Sequence, residues 1–159
     1  MMHYIRRNKD AGGYNIATPN LVNICIDSTD GIEKNGRMYC FYQEEPVYFR
    51  NSHELMKMMG ALMDALNYPQ SSVELRTYSE RKQYSGNPKK YPHTPDMEIC
   101  QKILGQRGQL DTIAVYVQYR QSATWQGVAY HLTDASREEF YSELEFLKII
   151  DQAGMNNSL

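Results

Sequence analysis

The sequence predicts an α+β fold: two pseudo-repeated β-β-β-α units whose antiparallel strands pack against amphipathic helices. Three observations predict it. Gly36, Tyr39, Phe49, Glu54 and Lys57 recur as Gly127, Tyr130, Phe140, Glu145 and Lys148, each pair 91 positions apart with no gap. The strand-like alternation of Val22, Ile24 and Ile26 recurs at the same offset as Ile113, Val115 and Val117. Each unit ends in a helix-start signature, Asn51 or Ser142 followed three residues on by Glu54 or Glu145. Strict identity over 36–59 is only five of 24 positions, so the weight falls on what those positions demand. Glycine suits a hairpin, glutamate suits the third helical position, and the pairs Met58/Ile149 and Met59/Ile150 suit a core.

The elements follow in order. The chain of 159 residues is expected to form one domain. It divides into a lead-in over 1–20, a first unit over 21–68, a connection over 69–110 and a second unit over 111–154. Gly12-Gly13 and Pro19 break up the lead-in. Leu21 to Ile26 reads as a strand, and Asp27 to Asn35 as a turn-rich connection with Asp30-Gly31 and Asn35-Gly36 as turn signals. Arg37 to Tyr42 is a strand by its aromatic content; Glu44-Glu45-Pro46 is expected to break it, and Val47 to Arg50 to form a short third strand. A helix then runs from Asn51 until Pro69, with Leu55, Met58, Met59, Leu62, Met63 and Leu66 at helical spacing. Met58, Met59 and Met63 are expected in the core, with Met56 off the stripe and exposed.

In the connection, Val73 to Tyr78 alternates like a strand, and residues 79–93 read as an exposed loop punctuated by Gly86, Pro88 and Pro92. Thr94 is the expected cap and Pro95 the first turn of a helix whose stripe is Met97, Cys100, Ile103 and Leu104. The second unit repeats the first. Its strands are Thr112 to Tyr119, Trp125 to Leu132 and Glu138 to Tyr141, with a turn over 133–136. Its helix is capped by Ser142, carries an apolar face of Leu144, Phe146, Leu147, Ile149 and Ile150, and stops by Gly154.

Composition excludes several classes. A net charge of −2 argues against a surface built throughout for nucleic acid, although a local patch stays open. No stretch approaches the ~20 apolar residues needed to span a bilayer, and the N-terminal residues lack the apolar core of a secretory signal, so no membrane is expected. Cys25, Cys40 and Cys100 are an odd set without metal or redox spacing, which points to free thiols in a reducing, cytoplasmic setting.

The catalytic inventory is thin. His3, His53, His93 and His131 fall in no ligand spacing, and no zincin, nucleophile-elbow or P-loop motif occurs. Glu44-Glu45 and Glu138-Glu139 read as solvated hairpin charges. No catalytic residue, metal or cofactor is therefore assigned. Two segments stand out as binding candidates. The first holds Arg76, Arg81, Lys82, Lys89 and Lys90 against Glu80, interleaved with Tyr78, Tyr84 and Tyr91. Cations among aromatics are the combination that holds single-stranded nucleic acid, by phosphate attraction and base stacking. The second is the string from Tyr119 to Gly127, in which Arg120 and Gln126 flank the sole tryptophan, Trp125. A tryptophan beside a hairpin turn serves either as a core lid or as a binding anchor.

The string Tyr119-Arg120-Gln121, Ala123-Thr124-Trp125-Gln126-Gly127, followed by the Leu-Glu-x-Leu-Lys helix from Phe140 to Asp151, resembles a group of small, uncharacterised bacterial proteins. These end in a similar Trp-Gln-Gly hairpin and Ser-capped helix. Phe49 to Gln70, ending in Tyr-Pro-Gln, is similar too. The resemblance brings no activity with it, so no residue role follows.

The functional expectation is a non-enzymatic cytoplasmic binding or adaptor protein that recognises a protein partner, with homo-oligomers left open. Two alternatives stay beside it. One is a nucleic-acid-binding accessory protein using the loop at 76–92. The other is a small-molecule binder or enzyme with a pocket between the two units.

Overall fold

A computed structural model describes residues 18–69, 96–120 and 124–154. These form a six-stranded antiparallel sheet with three helices, an α+β architecture. The strands are β1 (Val22–Thr29), β2 (Lys34–Cys40), β3 (Gln43–Phe49), β4 (Asp111–Tyr119), β5 (Gln126–His131) and β6 (Ser136–Phe140). The helices are α1 (Ser52–Leu66), α2 (Met97–Leu104) and α3 (Glu143–Asp151). The strand order is β3-β2-β1-β4-β5-β6, so two local hairpin runs meet along β1 and β4.

Alternation decides which side chains meet. Val22, Ile24 and Ile26 of β1 and Ile113, Val115 and Val117 of β4 point to one face. There they meet Leu55, Met59 and Met63 of α1 and Phe146, Ile149 and Ile150 of α3. Full burial of each such side chain stabilises by about 1.5–3 kcal/mol. The other face holds a second core, in which Cys100, Ile103 and Leu104 of α2 pack on Leu21, Cys25, Tyr39, Ala114, Val128 and Tyr130. This core draws on β1, β2, β4 and β5 but on no residue of the edge strands β3 and β6. An eight-residue helix is about 12 Å long, half the width of about 24 Å that six strands span. Part of this face is thus left uncovered by α2.

Asn23 fixes α2 in place. It sits on the α2 face of the central strand β1, and its Nδ2 donates to the carbonyls of Ile103 (2.8 Å) and Gln106 (3.2 Å). The Ile103 carbonyl also accepts from the Gln106 N–H (3.2 Å) and the Gln106 carbonyl from Arg107 Nη1 (2.9 Å), so Asn23 joins the already capped end of α2 to the sheet. Across the sheet, Asn23 pairs with Ala114, which lies 91 positions later.

Several expectations are corrected. Glu44-Glu45-Pro46 does not break the strand but lies within β3. Pro46 is tolerated because β3 is an edge and because the β2–β3 register shifts between Met38 and Cys40. The cap of α2 is Asp96, whose carboxylate accepts from the Glu98 N–H, rather than Thr94. Leu144 is exposed rather than on the apolar face of α3; the buried stripe is Phe146, Ile149 and Ile150. Met56 and Met58 are both half-buried, while Met59 and Met63 are in the core. α1 ends before Pro69, at Asn67 in the left-handed region (φ 56°). The candidate strand at Val73–Tyr78 and the loop at 79–93 lie outside the described residues.

Candidate binding surface

The Trp125 hairpin is built as follows. Gly127 of β5 faces Phe140 of β6, and a Cβ on Gly127 would stand 2.2 Å from the Tyr116 carbonyl oxygen and 2.8 Å from the Phe140 ring. Only glycine lets the aromatic ring and the neighbouring strand come this close. Phe140 then stacks tilted on Phe146 (5.3 Å), and Trp125 on Phe146 (5.9 Å). Trp125 is 7 % exposed and belongs to the core between the sheet, α1 and α3.

Arg120 is 9 % exposed. Its Nε donates to the Pro69 carbonyl (2.7 Å) and its Nη1 to Asp64 Oδ1 (2.9 Å). It thereby ties the end of β4 to the end of α1, with one partner buried backbone and the other an exposed carboxylate. Of the hairpin candidates, Trp125 and Arg120 point inward and Gln126 outward. Arg76, Tyr78, Arg81, Lys82, Tyr84, Lys89, Lys90 and Tyr91 all lie outside the described residues.

Gln126, half-buried, lies in a row between exposed neighbours. It is the cross-strand partner of Tyr119, and its Nε2 reaches the Tyr141 carbonyl at 3.5 Å. Tyr119 is 55 % exposed, Tyr141 62 % and Leu144, in the first turn of α3, 63 %. Glu139 and Arg137 extend the row along β6, opposite Val128 and Tyr130 on the α2 face of the sheet. The Tyr141 hydroxyl donates to Glu139 Oε1, and Arg137 pairs with Glu139 Oε2 at 3.1 Å. The Tyr141 and Arg137 hydrogen bonds hold the Glu139 carboxyl below its ordinary value, and the same carboxylate raises the Tyr141 phenol. Deeper in, Tyr116 and Tyr130 stack at 6.3 Å, and burial pushes the Tyr116 phenol up to about 12. Glu143 and Glu145 stand beside Leu144 in the first turn of α3.

A shallow depression of about 340 Å³ opens elsewhere, between β5, β6 and the end of α3. Its polar lining is largely spoken for. Asp111 accepts from Thr133 Oγ1 (2.8 Å) and from the backbone N–H groups of Thr112 (2.8 Å) and Gly154 (2.9 Å), and His131 pairs with Glu138 (3.0 Å). These bonds join β4, the β5–β6 turn and the chain after α3. All lining residues fall between 111 and 152, within one half of the chain. Among the described residues, no group of three or more His, Cys, Asp or Glu side chains is arranged to hold a metal ion. Burial raises the thiols of Cys25 and Cys100 to about 11, which makes both poor nucleophiles.

Sequence reasoning missed Tyr141, Glu139 and Leu144. A signal for each existed. Glu139 and Tyr141 are two apart at the end of a strand, hence on one face. Leu144 lies away from the helical stripe that Phe146, Ile149 and Ile150 define.

No protein-family model, curated protein or solved structure matches the chain. No helix among the described residues is long and apolar enough to cross a membrane.

Proposed function

We propose that this is a non-enzymatic binding protein that recognises a protein partner through the row Tyr119, Gln126 and Tyr141, with Leu144 beside it. The reading begins from a duplicated β-β-β-α unit. Matching details at the 91-residue offset support the duplication. Both helix caps use the same exchange: Asn51 and Ser142 accept from the Glu54 and Glu145 N–H groups, and those carboxylates accept from the Arg50 and Tyr141 N–H groups. Both first hairpins carry a register shift at matching places, between Ile26 and Ser28 and between Val117 and Tyr119. Gly36 and Gly127 both face a phenylalanine and have no room for a Cβ. In β1 and β4, Asn23 pairs with its own counterpart Ala114, as a twofold relation between the units requires.

The observation that carries the function is the difference between the units on this background. Where the second unit has the exposed Tyr119 and Tyr141 and the half-buried Gln126, the first has Ser28, Asn35 and Arg50. Ser28 and Asn35 satisfy each other (2.8 Å), and Arg50 pairs with Glu54. At two of these three positions the second unit thus places an exposed tyrosine, the residue type that anchors protein interfaces. Glu139, Glu143 and Glu145 border that surface, and they would repel a phosphate backbone. A protein partner therefore fits this surface better than nucleic acid does. The three free thiols accord with a reducing, cytoplasmic setting.

The test is photo-crosslinking in cells from a benzoylphenylalanine placed at position 141 or 119, with position 50 as the control. Discrete protein adducts are expected from 141 and 119 and not from 50. Adducts no richer than those at 50 would overturn the reading.

A further inference from the structure

We propose that the open edge of β6 receives an extended, basic segment of the protein partner as a seventh strand. The inference rests on the partner-binding reading above and names the mode and chemistry of that contact. The sheet ends on β3 and β6, and among the described residues no strand lies beyond either. Each edge offers a line of backbone N–H and C=O groups that an added strand can use. The two edges differ. β3 has Pro46, which lacks an N–H, and its ladder to β2 is irregular around that residue. Its outer line is interrupted where an incoming strand would need it. β6 has no proline, and Ser136 to Phe140 keep an unbroken register with β5. Residues Ser136 to Glu139 are exposed, so this edge is accessible.

Charge selects the occupant. Side chains alternate along β6, with Glu139 on the Tyr141 side and Glu138 on the opposite side toward α3. A strand laid against β6 would therefore meet a carboxylate on each face. Glu143 and Glu145 follow at the start of α3, and Arg137 is the one cation within 136–145. Lysine or arginine side chains on an incoming strand complement this field. A second copy of β6 would set like charges on like, which disfavours self-pairing. Tyr141, at the end of β6, supplies an aromatic platform for a side chain of the same segment.

The test is an amide NMR titration of the full chain with a synthetic peptide of alternating lysine and valine, against a control of alternating glutamate and valine. The lysine peptide is expected to shift the amides of Ser136 to Phe140 and slow their exchange, leaving Gln43 to Phe49 unchanged. The double variant Glu138→Lys/Glu139→Lys, at two exposed positions, should weaken the peptide by about tenfold or more. Three results would overturn strand addition: equal responses at β3 and β6, equal responses to the two peptides, or no response at β6 at millimolar lysine peptide. Shifts confined to Tyr119, Gln126 and Leu144 would also overturn it, yet would leave the partner-binding reading standing.

Discussion

Gly36 and Gly127 are fixed by contact, not by turn geometry. A Cβ on Gly36 would stand 1.9 Å from the Cys25 carbonyl oxygen, and one on Gly127 2.2 Å from that of Tyr116. Both obstacles are backbone atoms of a neighbouring strand, so neither can rotate away. Gly36→Ala and Gly127→Ala should each destabilise by about 2–4 kcal/mol, read from urea midpoints; a change within error at either position would refute the close approach. Asp27 argues a second case at this scale. It sits where the β1–β2 register shifts. Burial alone would raise its carboxyl, but hydrogen bonds from Arg37 (2.8 and 3.0 Å) and the Gln109 N–H (3.1 Å) outweigh burial and hold it below the ordinary value. A carboxyl depressed by folding adds stability above its unfolded value, about pH 4, and loses it as pH falls through the folded value. Asp27→Asn should therefore cost stability at neutral pH, with the deficit shrinking on acidification below about pH 4. Urea midpoints taken from neutral pH down to acid would settle this, and a deficit constant across that range would contradict it.

At the scale of elements, α2 hangs on Asn23. Its three buried residues give it little area to hold the sheet, and the Asn23 amide ties the carbonyls of Ile103 and Gln106 at its end to β1. Asn23→Ala should cost about 1–3 kcal/mol and should speed hydrogen exchange in α2 more than in β1 or β4. Equal acceleration across all three would mean that Asn23 serves the sheet rather than the helix. The elements also mark what the sequence could reveal. Strands β1 and β4 were legible because alternation and β-branching agree there. The caps Asn51 and Ser142 were legible because a capping box is a local signature. β3 was not fully legible, since Glu44-Glu45-Pro46 is a breaker by composition, and only its position at an edge makes it harmless. The candidate surface was half legible. The string around Trp125 singles out one hairpin, but composition cannot tell that Trp125 and Arg120 turn inward while Tyr119 and Gln126 turn outward. That sorting depends on the shift of register between Val117 and Tyr119, which no periodicity announces.

For the whole molecule, the decisive junction is the β1–β4 pairing. Five consecutive pairs from Val22/Val115 to Ile26/Asp111 join the two halves into one sheet. One core then draws Leu55, Met59 and Met63 from the first half and Trp125, Phe146 and Ile150 from the second. Neither half keeps its hydrophobic face covered without the other, so unfolding should be a single cooperative transition. The sole tryptophan makes this measurable, because Trp125 reports on the second half while far-ultraviolet circular dichroism reports on both. The two urea transitions should coincide. Met59→Ala, a cavity in the first half, should lower both midpoints together, by about 2–5 kcal/mol in stability. A tryptophan transition that stayed put while the dichroism moved would mean that the halves unfold separately, and the shared core would then be too weak to couple them.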